Sequence, residues 1–222
     1  MKKYLAEHKH VWLFLVAPVY FASFFLVERV IGNDHGFLSM LLPVDRLIPF
    51  WEWAVFPYIM WYPFMIAMAF CLYFTDARAF KRYMLFFIIG FFSTVAFCFI
   101  VPNGTAADFR PDTDALGRSN VATWLLNDFI WKNDTYTNVM PSLHVVGTMM
   151  VVFGFFDSKF KKNKALTALI IVLSAAIIGS TVFVKQHAIL DVIVGGVYSA
   201  VLYVLIYVVI KRRADKKYEK EN

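Results

Sequence analysis

Along this 222-residue chain, apolar runs and polar interruptions alternate on a scale of about twenty residues. Six stretches, approximately 11–28, 52–74, 83–102, 142–157, 165–184 and 188–210, are almost wholly apolar. A bilayer-crossing helix needs about 20 such residues, because each advances about 1.5 Å through a hydrocarbon layer about 30 Å thick. The pattern predicts an all-α protein, a six-helix integral membrane bundle forming a single domain over 1–222. The fourth stretch is the shortest and spans only if it starts at "PSLH" (141–144). Trp51, Trp53, Trp61 and Tyr62 gather near the ends of runs and read as interfacial anchors.

The polar interruptions give the bundle an orientation. Lys2, Lys3 and Lys9 precede the first run, and Arg78, Lys81 and Arg82 separate the second from the third. Lys159, Lys161, Lys162 and Lys164 separate the fourth from the fifth; Lys211, Arg212, Arg213, Lys216 and Lys217 follow the sixth. With six crossings these clusters fall on one side, so the positive-inside rule places both termini in the cytoplasm. The other face carries connections 29–51, 103–141 and a tight one near 185–187. In the longest, Pro102, Asn103-Gly104 and Pro111 mark turns. In "SNVATWLLNDFIWKND", Ser119 or Asn120 is placed to cap a helix with Val121, Trp124, Leu125 and Phe129 on one face. That helix is expected to lie in the extracytoplasmic interface between spans three and four. "GFLSMLLPVDRLIPF" (36–50) reads as a second interfacial segment, and "KRRADKKYEKEN" as a frayed, solvated tail.

Composition agrees with a bilayer as solvent. Hydrophobic residues make up 60%, aromatics 18% and charged residues 17%, the last well below the roughly 25% of soluble domains. The net charge of +6 is explained by topology, so no nucleic-acid partner is implied. Cys71 and Cys98 lie inside apolar runs, which argues against a disulfide framework or thiolate metal site.

Against this background a few ionisable groups stand out, because such groups at a membrane segment are costly and by default functional. His187 and Asp191, four apart at the start of the last run, share one helical face. His144 opens the fourth run, which starts on the same side of the membrane. Arg110 lies in the loop on that side and Lys185 just before His187. His10 and His35 are expected outside this group. A carboxylate on one imidazole nitrogen fixes the tautomer and frees the other nitrogen as a nucleophile. A second histidine can protonate a leaving alcohol. Cations and helix N-terminal N–H groups hold phosphate oxygens, and Ser142 after Pro141 is a natural N-cap for such a helix. The set suits phosphoryl transfer.

The residues resemble the three-part signature of the type-2 phosphatidic acid phosphatase superfamily of membrane enzymes. "NGTAADFRP", "PSLH" and "STVFVKQHAILD" stand where that superfamily has Lys, six residues, Arg-Pro; Pro-Ser-Gly-His; and Ser-Arg, five residues, His, three residues, Asp. Asn103 takes the place of Lys, Leu143 of Gly and Thr181 of Arg. "PSLH" with "QH…DV" is nearer the inositol phosphorylceramide synthase and sphingomyelin synthase branch, whose enzymes pass a phospho-head group to an alcohol. The resemblance implies that His187 attacks phosphorus to form a phosphohistidine, Asp191 orients it, and His144 serves as acid and then base. It implies phosphate binding by Arg110, Ser142 and Ser180. Lys185, one helical turn beyond Thr181, is our own addition as a replacement cation. Candidate substrates are phosphatidate, phosphatidylglycerol phosphate and a polyprenyl pyrophosphate, acted on at the extracytoplasmic face without cofactor.

Three rivals are weaker. Two histidines and an aspartate can bind zinc, but there is no HExxH pattern and the neighbours are cationic, so no metal is expected. Ser142 lacks the GxSxG context of a serine nucleophile. A non-catalytic lipid carrier would need polar groups along a continuous path, and the middles of the runs are apolar.

Overall fold

A computed structural model describes residues 9–31, 36–214 and 216. Lys2, Lys3, His35, Lys217 and the last residues of the tail lie outside the described residues.

Helix α1 (Val16–Ile31) is entered through a 3-10 segment, Lys9–Leu15, and α2 (Val55–Thr75) through another, Glu52–Ala54. Helix α3 covers Ala77–Ile100. The α2–α3 turn is made by one residue. Asp76 accepts hydrogen bonds from the backbone of Arg78 and Ala79, both at 3.0 Å, satisfying N–H groups that a helix start leaves open. Helix α4 spans 121–133 and widens in its middle to a π-helical stretch, Leu125–Ile130. Helices α5 (Leu143–Asp157), α6 (Lys164–Phe183) and α7 (Ile189–Tyr203) follow, α7 continuing as π-helix through Val204–Ile210. Two short parallel strands, β1 (Leu38–Ser39) and β2 (Asn103–Gly104), tie the 36–50 segment to the start of the long loop.

Five of these helical stretches are long and apolar enough to cross a membrane: His10–Val30, Glu52–Thr75, Ala77–Ile100, Lys164–Phe183 and Ile189–Ala214. Helix α5 is not. Its 15 residues rise about 22 Å, short of the roughly 30 Å of hydrocarbon. It occupies the centre of the bundle, packed on α2, α3, α6 and α7, so its faces meet protein. Gly147 is what allows α2 so close: a Cβ there would lie 2.7 Å from Trp61 Nε1 and 2.6 Å from Met65 Sδ. Gly195 does the same on α7, where a Cβ would meet the Val145 side chain at 3.0 Å and the Ser142 carbonyl at 3.1 Å.

At one end of the bundle Asp157 accepts from Arg82 (2.6 Å) and Lys211 (2.5 Å). That triad ties two of the basic clusters together, just before the start of a third at Lys159. His10 packs near that end, its ring 5.0 Å from Tyr73 and 5.7 Å from Phe80. The starts of α2, α5 and α7 gather at the other end. Asn120, not Ser119, caps α4, accepting from Ala122 and Thr123. Val121, Trp124 and Phe129 face outward, while Ala122, Leu126 and Ile130 pack on Val55, Tyr58 and Val184.

Candidate active site

The tight connection between α6 and α7 positions His187. The backbone N–H groups of Gln186 and His187 both donate to the Thr181 carbonyl at 3.1 Å, closing off α6. Asp191, in the first turn of α7, accepts the Ala188 N–H at 2.8 Å. The same oxygen, Oδ2, lies 3.5 Å from His187 Nδ1. The Ser142 N–H donates to the Asp191 carbonyl at 3.2 Å, so the start of α5 is fastened to the turn that holds the carboxylate. Ser142 caps α5 through its hydroxyl, which accepts the Val145 N–H at 3.5 Å.

His144 follows and is buried. Its ring stacks on Tyr58 at 4.1 Å, lies 4.3 Å from the Trp61 ring and faces His187 at 5.8 Å. The two histidines line one cavity of about 480 Å³, with walls from α1 (Tyr20, Phe24), α2 (Trp61, Tyr62), α4 (Phe129) and the loop before α5 (Asp134, Asn138). Trp61 is thus a correction: expected as an interfacial anchor, it is buried against His144. Trp51 and Trp53 are exposed near the start of α2.

The expected phosphate-binding groups fall differently. Arg110 donates from Nη2 to Gln186 Oε1 (2.7 Å) and the Asp134 carbonyl (2.8 Å), and from Nη1 to the Trp131 carbonyl (3.3 Å). It braces Gln186 and Asp134 from behind and does not line the cavity. Ser180 and Thr181 turn their hydroxyls back onto α6, donating to the Ile177 and Ile178 carbonyls. Lys185 is the clearest correction. It adopts a left-handed backbone (φ 58°), and its Nζ donates to the carbonyls of Asp45 (2.9 Å) and Ile48 (2.6 Å). The ammonium sits 4.8 Å from the Phe109 ring and borders a separate recess with Arg46 and Asp108. Expected one helical turn beyond Thr181, it departs because α6 ends at Phe183.

Asn103 is not merely a missing cation. Its Oδ1 accepts the Met140 N–H at 2.8 Å, and its Nδ2 donates to the carbonyls of Val101 (2.9 Å) and Met140 (3.2 Å). Both ends of the amide are spent shaping the approach to Pro141, a task an ammonium cannot do because it has no acceptor.

Several site residues carried no signal in the sequence. Buried Asp45 accepts the Ile189 N–H at 2.7 Å through Oδ1 and the Leu42 N–H at 2.7 Å through Oδ2, so the 36–50 segment caps α7 from outside. Glu28 of α1 accepts from Asn138 (2.7 Å) and Thr135 (2.5 Å), pinning the cavity's loop wall to the first helix. Asp134 accepts the Tyr58 hydroxyl at 3.1 Å. Burial pushes its carboxyl above the ordinary value, while His187, Arg110 and the Tyr58 bond pull it back.

The arrangement sets the imidazole beside Asp191 facing a second imidazole in a partly open, largely aromatic space. Residues 92–215 match the PAP2 superfamily, and this span holds both histidines and Asp191. No curated protein and no solved structure matches the chain.

Proposed function

The chain belongs to the PAP2 superfamily, whose activities are of phosphatase or phosphotransferase type, and on that premise we propose that it cleaves a phosphoester of a membrane lipid through a phosphohistidine on His187. The observation that carries this reading is His187 held beside Asp191 and facing His144 in one cavity. The Nε2 lone pair of His187 attacks phosphorus, and the bond from phosphorus to the lipid alcohol breaks. His144 in its protonated form passes a proton to that departing oxygen. The neutral His144 then takes a proton from water, whose oxygen displaces the imidazole and releases phosphate. Asp191 stabilises the imidazolium form of His187 while the P–N bond exists. Arg110, Ser142 and Ser180 act in this scheme through the walls, not by touching phosphate.

We place the site at the extracytoplasmic face of a multi-pass membrane protein with both termini in the cytoplasm. Helix α5 completes six crossings in this arrangement, its short length accommodated because protein surrounds it. Helix α4 lies in the interface with Trp124 and Phe129 toward lipid. A second reading, transfer of a phospho-alcohol group to another alcohol, is favoured by one observation: no lysine or arginine is among the described residues lining the cavity. Phosphate dianions are ordinarily held by such cations.

The test is the full chain in lipid vesicles with phosphate-labelled phospholipids, with and without acceptor alcohols. Free labelled phosphate marks hydrolysis, and label on a new alcohol marks transfer. His187→Ala abolishes both products and the acid-quenched labelled protein. Turnover that survives this change rules the phosphohistidine out.

A further inference from the structure

The recess bordered by Lys185 takes no part in the chemistry proposed above, and it holds a charge without a counter-ion. Lys185 is 6% exposed, and among the described residues no carboxylate forms an ion pair with it. Two of its N–H groups go to the Asp45 and Ile48 carbonyls, which supply dipoles but no charge. Asp45 itself has its carboxylate oxygens occupied by the Leu42 and Ile189 N–H groups. A buried ammonium in that state favours an anion beside it, and an ammonium has a third N–H left to meet one.

Arg46 and Asp108 share the recess, whose volume is about 320 Å³ and whose walls are Ile48, Pro49, Phe50 and Phe109. They pair at 3.1 Å with both side chains more than half exposed. An exposed pair contributes little, so the Arg46 guanidinium is available to a phosphate, which it can grip with two parallel bonds. Together Lys185, Arg46 and Asp108 leave the recess with one net positive charge. The surroundings are apolar and face outward. Leu42, Val44 and Leu47, on either side of Arg46, are exposed, Leu47 at 81%, and so are Trp51 and Trp53 just beyond. Such side chains beside a cationic recess suit a bilayer interface, where acyl chains cover the first and head groups fill the second.

We propose that the recess of Lys185 and Arg46 seats the phosphate of a monoanionic phospholipid that stays with the protein as a structural lipid. Its phosphodiester supplies the missing charge, with Leu47 and Trp51 against the acyl chains. Through Lys185 it braces segment 36–50, whose Asp45 caps α7 at Ile189, against the connection between α6 and α7. The inference does not depend on what His187 does.

The test measures Tm of the full chain in phosphatidylcholine nanodiscs with a rising fraction of phosphatidylglycerol. Tm is expected to climb by several degrees and saturate, as binding to the folded state requires. Arg46→Gln should raise the half-saturating fraction about 5-fold, and Asp108→Asn should lower it by a similar factor, because one removes and the other exposes a positive charge. If the Arg46–Asp108 pair merely braces the surface, both substitutions break it and act in the same direction, which overturns the proposal. So does a Tm that ignores phosphatidylglycerol. Diacylglycerol in its place, and inorganic phosphate added to phosphatidylcholine discs, should each leave Tm unchanged. A rise with inorganic phosphate alone makes the recess a site for a soluble anion and overturns the lipid assignment. His187→Ala should show the parent's dependence; loss of that dependence would put the lipid in the histidine cavity instead.

Discussion

Two recesses flank the same short stretch of chain, 184–188, and they have sorted their charges in opposite ways. One holds His144, His187 and Asp134 among aromatic rings. The other holds Arg46 and Lys185 beside Asp108 and Phe109. Lys185 and His187 are two residues apart, yet the left-handed backbone at Lys185 sends their side chains to different recesses. The lesson concerns what each group is used for. Lys185 is consumed by two backbone carbonyls and holds the 36–50 segment in place, so its work is structural. His187 has the Asp191 carboxylate 3.5 Å from its Nδ1 and lines the cavity, so the work we propose for it is chemical.

The sharpest break between the two is a paired substitution. His187→Ala should lower turnover by roughly 10³-fold or more, while Tm in detergent stays within a degree or two. Lys185→Met should do the reverse. It leaves the Asp45 and Ile48 carbonyls without their donor, at a cost of about 1–3 kcal/mol. Tm should fall by several degrees, with kcat/KM measured well below Tm within about threefold of the parent. A selective rise in KM for phosphate-bearing substrates would return Lys185 to the site.

A substitution at Gly147 sharpens the comparison from the cavity side. Gly147→Val pushes a side chain into the Trp61 indole, which flanks His144, and overpacking of this kind costs typically ~1–3 kcal/mol. Turnover and Tm should fall together, and an unchanged Tm would mean that Trp61 gives way freely.

Asp134 supplies a smaller effect with a defined sign. Its carboxyl is raised above the ordinary value by burial, so the unfolded chain releases this proton at lower pH than the folded one. The folded state therefore loses stability as pH rises from the ordinary carboxylate value of about 3.9 toward the raised one, and the cost is complete above it. Asp134→Asn keeps an acceptor for Tyr58 and removes the charge. Its Tm should exceed the parent's by a few degrees at neutral pH, and the gap should close as pH falls below the ordinary value. A gap that widens in acid would contradict the burial argument. Smallest is Tyr58→Phe, which removes only the 3.1 Å hydrogen bond to Asp134 and keeps the ring on His144. About 1 kcal/mol of stability and a few-fold in kcat/KM are expected.

Much of this was readable from residue order, and the reasons are physical. Apolar runs marked the long helices because a bilayer accepts little else. Ser142 and Asn120 announced helix starts because a side-chain oxygen must satisfy open N–H groups there. The His187–Asp191 pair was legible from its spacing, but the expected shared helical face is corrected: α7 starts only at Ile189, so His187 reaches Asp191 from the turn before the helix. Asp45, Glu28 and Asp134 were not, since each acts on a segment far away in sequence. Asp45 bonds Ile189, 144 positions on, and Glu28 bonds Asn138, 110 positions on. Trp61 was misplaced for the same reason: proximity to a run's end suggests an interface, but Gly147 on another helix draws it inward. Helix α5 read as a span by its apolarity, and only the tertiary structure shows that it is short and packed among α2, α3, α6 and α7.

The sequence by itself determined the helical class and the basic clusters and put forward the residues of the proposed histidine–aspartate chemistry, because these depend on composition and on spacing along the chain. Tertiary structure alone decided which charges reach the cavity. Arg110, Lys185 and Asp134 all lie in connecting segments, and their fates were set largely by which carbonyls, rings and hydroxyls distant segments brought against them.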